Sequence, residues 1–395
     1  MLIDLSRLPV GYSAGVGVFS YNLASNLLDL DPNVGVIFSE KNFEYFQNIL
    51  GAKRFLIIDL EKYKYIDKIS LFIAKNFSHE VLNQLFVKIR NLIYRKVGNF
   101  AQAGEVIITP TTYLNFSLKT NINLICLHDT QELSLPHLFS PKEIKLRSFL
   151  TRFSISNCDL IQVSSNFIKE EILKFYEVDP ESIVVIPEGV SMKFLAKRKP
   201  TRLQDLNLKR KITIIYPAAA WFHKNHLELL SDLNKSRHSS ELIVYFTGYM
   251  KNREVELLQF YESLEPKFKL EICGIVDHHK LVELMQLSDF VISYSSYESS
   301  SQPILEAMLA KAIPIASSIP AHKEMSNFFR IPLFDLNGEV KFNQLLDTLI
   351  ENTNLREEIL SYNNTRIFSR DWKTIAEEYL KIEMPPWLSG RAAHS

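Results

Sequence analysis

Two successive series of short, β-branched apolar runs, each run set off from the next by a helix-length segment, are the pattern of parallel sheets built from β-α-β units. After an opening strand at the N-terminus, the first series comprises VGVIF at 34–38, RFLIIDL at 54–60, EVIITP at 105–110, INLICLHD at 122–129, LIQVSS at 160–165 and SIVVIP at 182–187. The second comprises ITIIYP at 212–217, LIVYFTG at 242–248, LEICG at 270–274, FVISY at 290–294 and IPIASS at 313–318. Between them a Glu188-Gly189 turn leads into a basic, polar stretch from Ser191 to Arg210 with no apolar period, which reads as a linker. A chain of 395 residues also exceeds the roughly 250–300 at which a single core stops growing. The expected fold class is therefore α/β, two Rossmann-like doubly wound domains facing across a cleft. The expected domains are 1–190 and 191–369. An amphipathic helix at about 370–382, with Trp372, Ile375, Ala376, Tyr379 and Leu380 on one side, follows the second. The tail PPWLSGRAAHS, 383–395, has little to pack with and is expected to be disordered.

Lysine plus arginine equals aspartate plus glutamate at 45 each, so no global field points to nucleic acid. Cys126, Cys158 and Cys273 follow no metal spacing and sit in apolar contexts that suit reduced thiols, which favours a cytoplasmic location. The N-terminus has no basic region followed by an apolar stretch, and no apolar run reaches the roughly 18 residues that span a bilayer. Between Gln84 and Gly98, Lys88, Arg90, Arg95 and Lys96 alternate with large apolar residues. A helix resting on an anionic membrane has that look, and so does an ordinary domain-surface helix, which is the favoured reading.

Open parallel sheets bind ligands beyond the carboxyl ends of their strands, and four such places are unusual here. Gly11, Gly15 and Gly17 crowd the turn after the opening strand, although the chain has only 12 glycines. A dinucleotide fingerprint would need a third glycine where Ser20 stands. His128 ends an apolar strand, with Asp129 beside it on the opposite face and so placed to orient loop backbone. Lys224 precedes a helix expected to begin near Asn225, where an ammonium at the positive end of the dipole calls for an anion such as a diphosphate. His223 and His226 flank it, but no carboxylate or cysteine completes a zinc set. Last, YESSSQPILEAM places Glu298 in a serine-rich loop and Glu306 one turn inside a helix begun by Pro303. Backbone N–H groups around Ser300, Ser301 and Gln302 would face an anion, and the two carboxylates would accept hydrogen bonds from sugar hydroxyls.

On GVGVFSYNL, LHD, VIPEGVS, HKNHLELL, ESSSQPILEAM and IPIASSIPAHKEM, the chain resembles, over nearly its full length, the family-4 (group 1) glycosyltransferases with the GT-B fold, bacterial polysaccharide mannosyltransferases among them. The resemblance implies a retaining enzyme that moves a sugar, with mannose a candidate, from a nucleotide diphosphate sugar to a polysaccharide or lipid-linked glycan, without a metal or other cofactor. It gives His128 and Glu298 the sugar at the reacting centre, Glu306 the ribose, and Lys224, Ser299, Ser300, Ser301 and Gln302 the diphosphate side. Gly15 and Gly17 would let the first domain approach the phosphates, and the last helix would cross back onto that domain. Three positions depart from the commonest pattern. Ala219 stands where many members have an arginine, Ser299-Ser300-Ser301 replaces a glycine-aromatic-glycine, and Glu188 replaces an asparagine. A catalytically silent scaffold subunit of the same fold and a nucleotide-sugar epimerase are the alternatives.

Overall fold

The computed structural model describes residues 1–10, 15–76, 80–195, 211–250 and 252–382. Gly11, most of the expected linker and the 383–395 tail lie outside the described residues. The chain forms two compact units, Met1–Glu188 with Trp372–Ser395, and Gly189–Asp371.

Among the described residues the first unit holds seven parallel strands, β1 (Leu2–Asp4), β2 (Gly35–Ser39), β3 (Arg54–Ile58), β4 (Val106–Thr109), β5 (Ile122–Cys126), β6 (Leu160–Val163) and β7 (Ile183–Val185), in the order β3-β2-β1-β4-β5-β6-β7. Strands of a parallel sheet are covered on both faces and so read as continuous apolar runs. β2 and β5 are buried at every position. The second unit holds β8 (Ile212–Pro217), β9 (Leu242–Thr247), β10 (Lys269–Gly274), β11 (Phe290–Ser293), β12 (Ile313–Ser317) and β13 (Leu333–Phe334), ordered β10-β9-β8-β11-β12-β13. Every strand expected from the sequence is present, and β13, two residues long, carries no period by which it could have been read.

The Trp372–Leu380 helix belongs to the first unit and packs on the Gly15–Leu30 helix. Its buried side is Trp372, Ile375, Ala376 and Tyr379; Leu380, expected on that side, is exposed. Trp372 meets Phe19 edge-on, with centroids 5.4 Å apart. Tyr379 Oη lies 3.8 Å from Cys126 Sγ, and burial pushes that thiol up to about 12, so it stays protonated.

One expectation is corrected in this unit. Gly15 and Gly17 sit in the first turn of the Gly15–Leu30 helix rather than in the turn before it. In the basic 84–98 segment, Arg90 points inward: it is 5% exposed, pairs with Asp67 at 2.9 Å and lies 4.8 Å over the Phe86 ring. Only Lys88, Arg95 and Lys96 of its four cations face solvent, because the unit's core lies on the Arg90 side of the helix. Among the described residues no helix is long and apolar enough to cross a membrane.

Candidate active site

In the second sheet the strand order reverses between β8 and β11, and the loops leaving these two strands diverge over the carboxyl edge, where open sheets bind ligands. The loop after β8 ends in a short 3-10 turn, Phe222–Lys224, and then in Asn225 with φ 50° and ψ 47°. Asparagine tolerates this left-handed conformation better than most residues. Its side chain does not cap the helix that follows, His226–Lys235; Nδ2 donates instead to Tyr294 O at 3.0 Å, in the loop after β11. Ser296 N donates to His223 O at 2.7 Å, and Tyr216 Oη donates to Lys224 O at 2.5 Å. Residues seventy positions apart in sequence are thus held side by side.

The consequence is an ion pair between Lys224 Nζ and Glu298 Oε1, with side chains 18% and 15% exposed. Ser295 Oγ donates to the same carboxylate oxygen at 2.5 Å. Burial alone would push the Glu298 carboxyl up, but Lys224 and Ser295 outweigh it and hold it below its ordinary value. The anion called for beside Lys224 is therefore supplied by the protein itself.

Under Glu298 lies a buried polar floor that the sequence did not reveal. His322, wholly buried, donates from Nδ1 to Ser317 O at 2.7 Å, and its Nε2 is 3.3 Å from Ser293 Oγ. Burial lowers the His322 imidazole below its usual range, against the pull of Glu298, so it stays neutral near pH 7. Ser317 Oγ donates to Ser295 O at 2.5 Å, fixing the residue whose hydroxyl reaches Glu298. A histidine just after β12, in IPIASSIPAHKEM, was the available signal.

The Gln302–Leu309 helix opens with Gln302, and Pro303 is its second residue rather than its first. Glu306 stands in its second turn, partly exposed, as are Ser299 and Ser300. Ser301 turns inward: it is 2% exposed and its hydroxyl donates to Ser293 Oγ at 3.4 Å, so that hydroxyl is not offered to a phosphate. Gln302 Nε2 donates to Gly189 O at 2.9 Å, tying the helix start to the first residue of the unit. Gly248, after β9, is a further residue the sequence reading passed over. Its φ is +118°, and a Cβ there would lie 2.9 Å from the backbone of Ala218 and Ala219, which begin the Lys224 loop.

His226 is structural: 1% exposed, Nε2 donating to Ala218 O at 3.2 Å, and pushed down to about 3 by burial. Among the described residues no group of three or more His, Cys, Asp or Glu could hold a metal ion.

The first unit holds the remaining candidates. His128 follows β5, is 7% exposed, and meets Phe19 edge-on at 4.8 Å. Its Nε2 lies 2.8 Å from Pro110 O, and since a carbonyl only accepts, that nitrogen carries a proton. Asp129 does not pair with it; Asp129 accepts from Gln131 N at 3.3 Å and from Arg147 at 3.2 Å, the backbone-orienting role its opposite face implied.

Residues 198–366 match the family model described as "Glycosyl transferases group 1". The chain is 23% identical over 329 residues to the O-antigen chain mannosyltransferase RfbU of Salmonella typhimurium, covering 82% of this chain and 84% of that protein. The solved structure of Anabaena Alr3699/HepE in complex with UDP and glucose superposes with a TM-score of 0.69 at 16% identity, over 96% of this chain and 98% of that one. WaaG, a glycosyltransferase involved in lipopolysaccharide biosynthesis, superposes with a TM-score of 0.67 at 11% identity, over 96% and 98%. With the two parallel-sheet units, these likenesses show the GT-B fold.

Proposed function

We propose that this chain, whose residues 198–366 match the group 1 glycosyltransferase model, transfers a sugar, with retention of anomeric configuration, from a nucleotide diphosphate sugar to a polysaccharide or lipid-linked glycan. The observation that carries this reading is the Lys224–Glu298 pair at the strand-order reversal, beside the Glu306 helix. A diphosphate entering there meets an ammonium that is already ordered. It can share Lys224 with Glu298, while the carboxylates of Glu298 and Glu306 accept hydrogen bonds from the donor sugar and the ribose. As the glycosidic bond breaks, negative charge grows on the departing nucleoside diphosphate, and Lys224 together with the start of the Gln302–Leu309 helix stabilises it. In the first unit, Nε2 of His128 is spent on Pro110, which leaves Nδ1 as the atom we assign to a sugar hydroxyl.

Mannose is the candidate sugar, supported by the likeness to RfbU. The charge stabilisation in this reading comes from side chains and backbone, so transfer should persist in excess EDTA. Calorimetric titration with GDP, UDP, ADP and their sugar conjugates tests the donor site. One nucleotide should bind selectively and lose on the order of tenfold in affinity in Glu306→Ala, the worth of about one hydrogen bond to a charged group. Absence of binding across the panel would sink the reading.

A further inference from the structure

A cavity of about 650 Å³ opens in the first unit at the carboxyl ends of β1, β2 and β3. Its floor is rigid: Asn42, 1% exposed, donates from Nδ2 to Leu5 O and Leu8 O at 2.8 and 2.9 Å and accepts from Ser39 N at 2.9 Å. Its walls carry Arg7, Lys41, Lys64 and Lys68 against Glu61 and Asp67. Asp67 is already claimed twice, by Arg7 through two bonds of 3.0 Å and by buried Arg90 at 2.9 Å. Arg90, behind this wall, has an Nε with no hydrogen-bond partner, and burial and the neighbouring Arg7 lower its guanidinium to about 10. Glu61 is likewise shared, by Lys41 and by Lys64 at 3.2 Å. Lys68 has no ion-pair partner among the described residues, and it follows Lys64 by four positions, on the same helix face. Four cations thus line the cavity against two carboxylates in a chain whose net charge is zero. Leu8, Pro9 and Leu60 line the same cavity, and a low-dielectric concave wall concentrates the field of such an excess.

We infer that this cavity binds a phosphate-bearing group of the glycosyl acceptor, held by the ammoniums of Lys41, Lys64 and Lys68. The inference rests on the glycosyltransferase reading above, which places the donor's own diphosphate at Lys224 in the other unit. Both guanidiniums are committed to Asp67, so the ligand meets lysines, which bind a phosphate as point charges rather than through a bidentate fork. Two sources share this chemistry: the phosphodiester or diphosphate of a lipid-linked headgroup, and a soluble phosphorylated glycan.

The test titrates the full chain with sn-glycerol 3-phosphate by calorimetry, and sediments it with vesicles of phosphatidylcholine plus phosphatidylglycerol against phosphatidylcholine alone. The wild type and Lys224→Gln should bind glycerol phosphate alike, whereas Lys64→Glu/Lys68→Glu should bind it at least about tenfold more weakly, the effect of removing charge-assisted contacts. Lys41→Ala, at a position that is 69% exposed, gives a second variant with a smaller loss. Glycerol phosphate binding with vesicle binding that the double variant also loses identifies a lipid headgroup; glycerol phosphate binding alone identifies a soluble phosphate. The inference fails if the wild type does not bind glycerol phosphate, if the double variant binds it normally, or if only Lys224→Gln loses it. Nucleotide titration of the same variants separates that failure from a failure of the donor site.

Discussion

Replacing Lys224 with methionine keeps the volume of the side chain and removes its charge, leaving Glu298 with Ser295 as its remaining described donor in a site 15% exposed. Breaking a fully buried pair by removing one partner costs about 3–5 kcal/mol. With the residual exposure of both side chains, about 2–4 kcal/mol is expected, or roughly 5–12 °C in Tm for a unit of this size. The pH dependence should also change sign. In the wild type the Glu298 carboxyl is held low, so its contribution is present above the ordinary carboxylate range and is lost as pH falls through the lowered value. In Lys224→Met burial acts unopposed and raises the carboxyl, so the penalty is present at neutral pH and is relieved as pH falls through the raised value. The double variant Lys224→Met/Glu298→Gln should therefore recover at least half of the lost stability at pH 7 while remaining at least about 10²–10³-fold slower in transfer, the cost of losing the Lys224 charge alone. Thermal denaturation from pH 5 to 8, with initial rates on the same samples, measures both. A single variant as stable as wild type at pH 7, or a double variant no more stable than the single, would refute the pairing argument. The alternative expectation, that Lys224 can be removed without touching stability, holds only for a lysine waiting alone for its ligand.

Two other outcomes follow from the geometry. Gly248→Ala forces a side chain into a positive φ and against the Ala218–Ala219 backbone, so it should cost about 1–3 kcal/mol and weaken nucleotide binding through the Lys224 loop; an unchanged melting curve contradicts this. Glu105 is gripped by Arg54 at 2.5 and 2.8 Å and by Gln102 N at 2.7 Å, which, against the opposing effect of burial, bring it down to about 2. That lowered value means the contribution is present above the ordinary carboxylate range and fades as pH drops towards 2. Allowing for solvent screening it is worth about 1–2 kcal/mol, which Glu105→Gln should remove at pH 7, with little difference from wild type left at pH 2.

The strands were legible because parallel sheets demand continuous apolar runs, and β2, β5, β8 and β12 announce themselves in composition alone. β13 was not, since two residues have no period. The residues after the strands were equally legible as candidates: Lys224, Glu298 and His128 all stand at the carboxyl ends of strands, where open parallel sheets bind ligands. What side chains do there was not legible. The Lys224–Glu298 pair joins positions 74 apart, and nothing local in either segment points to the other. Ser301 and Ser299 look alike in the triplet, yet Ser301 faces Ser293 and is buried, because the chain is turning into a helix. Arg90 reads as one cation of a basic face, but a single helical position decides whether a side chain meets solvent or Asp67. His322 was visible only as part of a family-like segment, and its floor under Glu298 depends on β11 and β12 lying side by side.

Hydrogen exchange of the backbone amides, with and without GDP-mannose, UDP-glucose and ADP-glucose, tests the donor site most directly. One of these ligands should slow exchange in 218–226 and 295–306, the two loops that carry Lys224 and Glu298 together with the Glu306 helix. Protection elsewhere in the Gly189–Asp371 unit with those two segments unchanged would contradict the assignment.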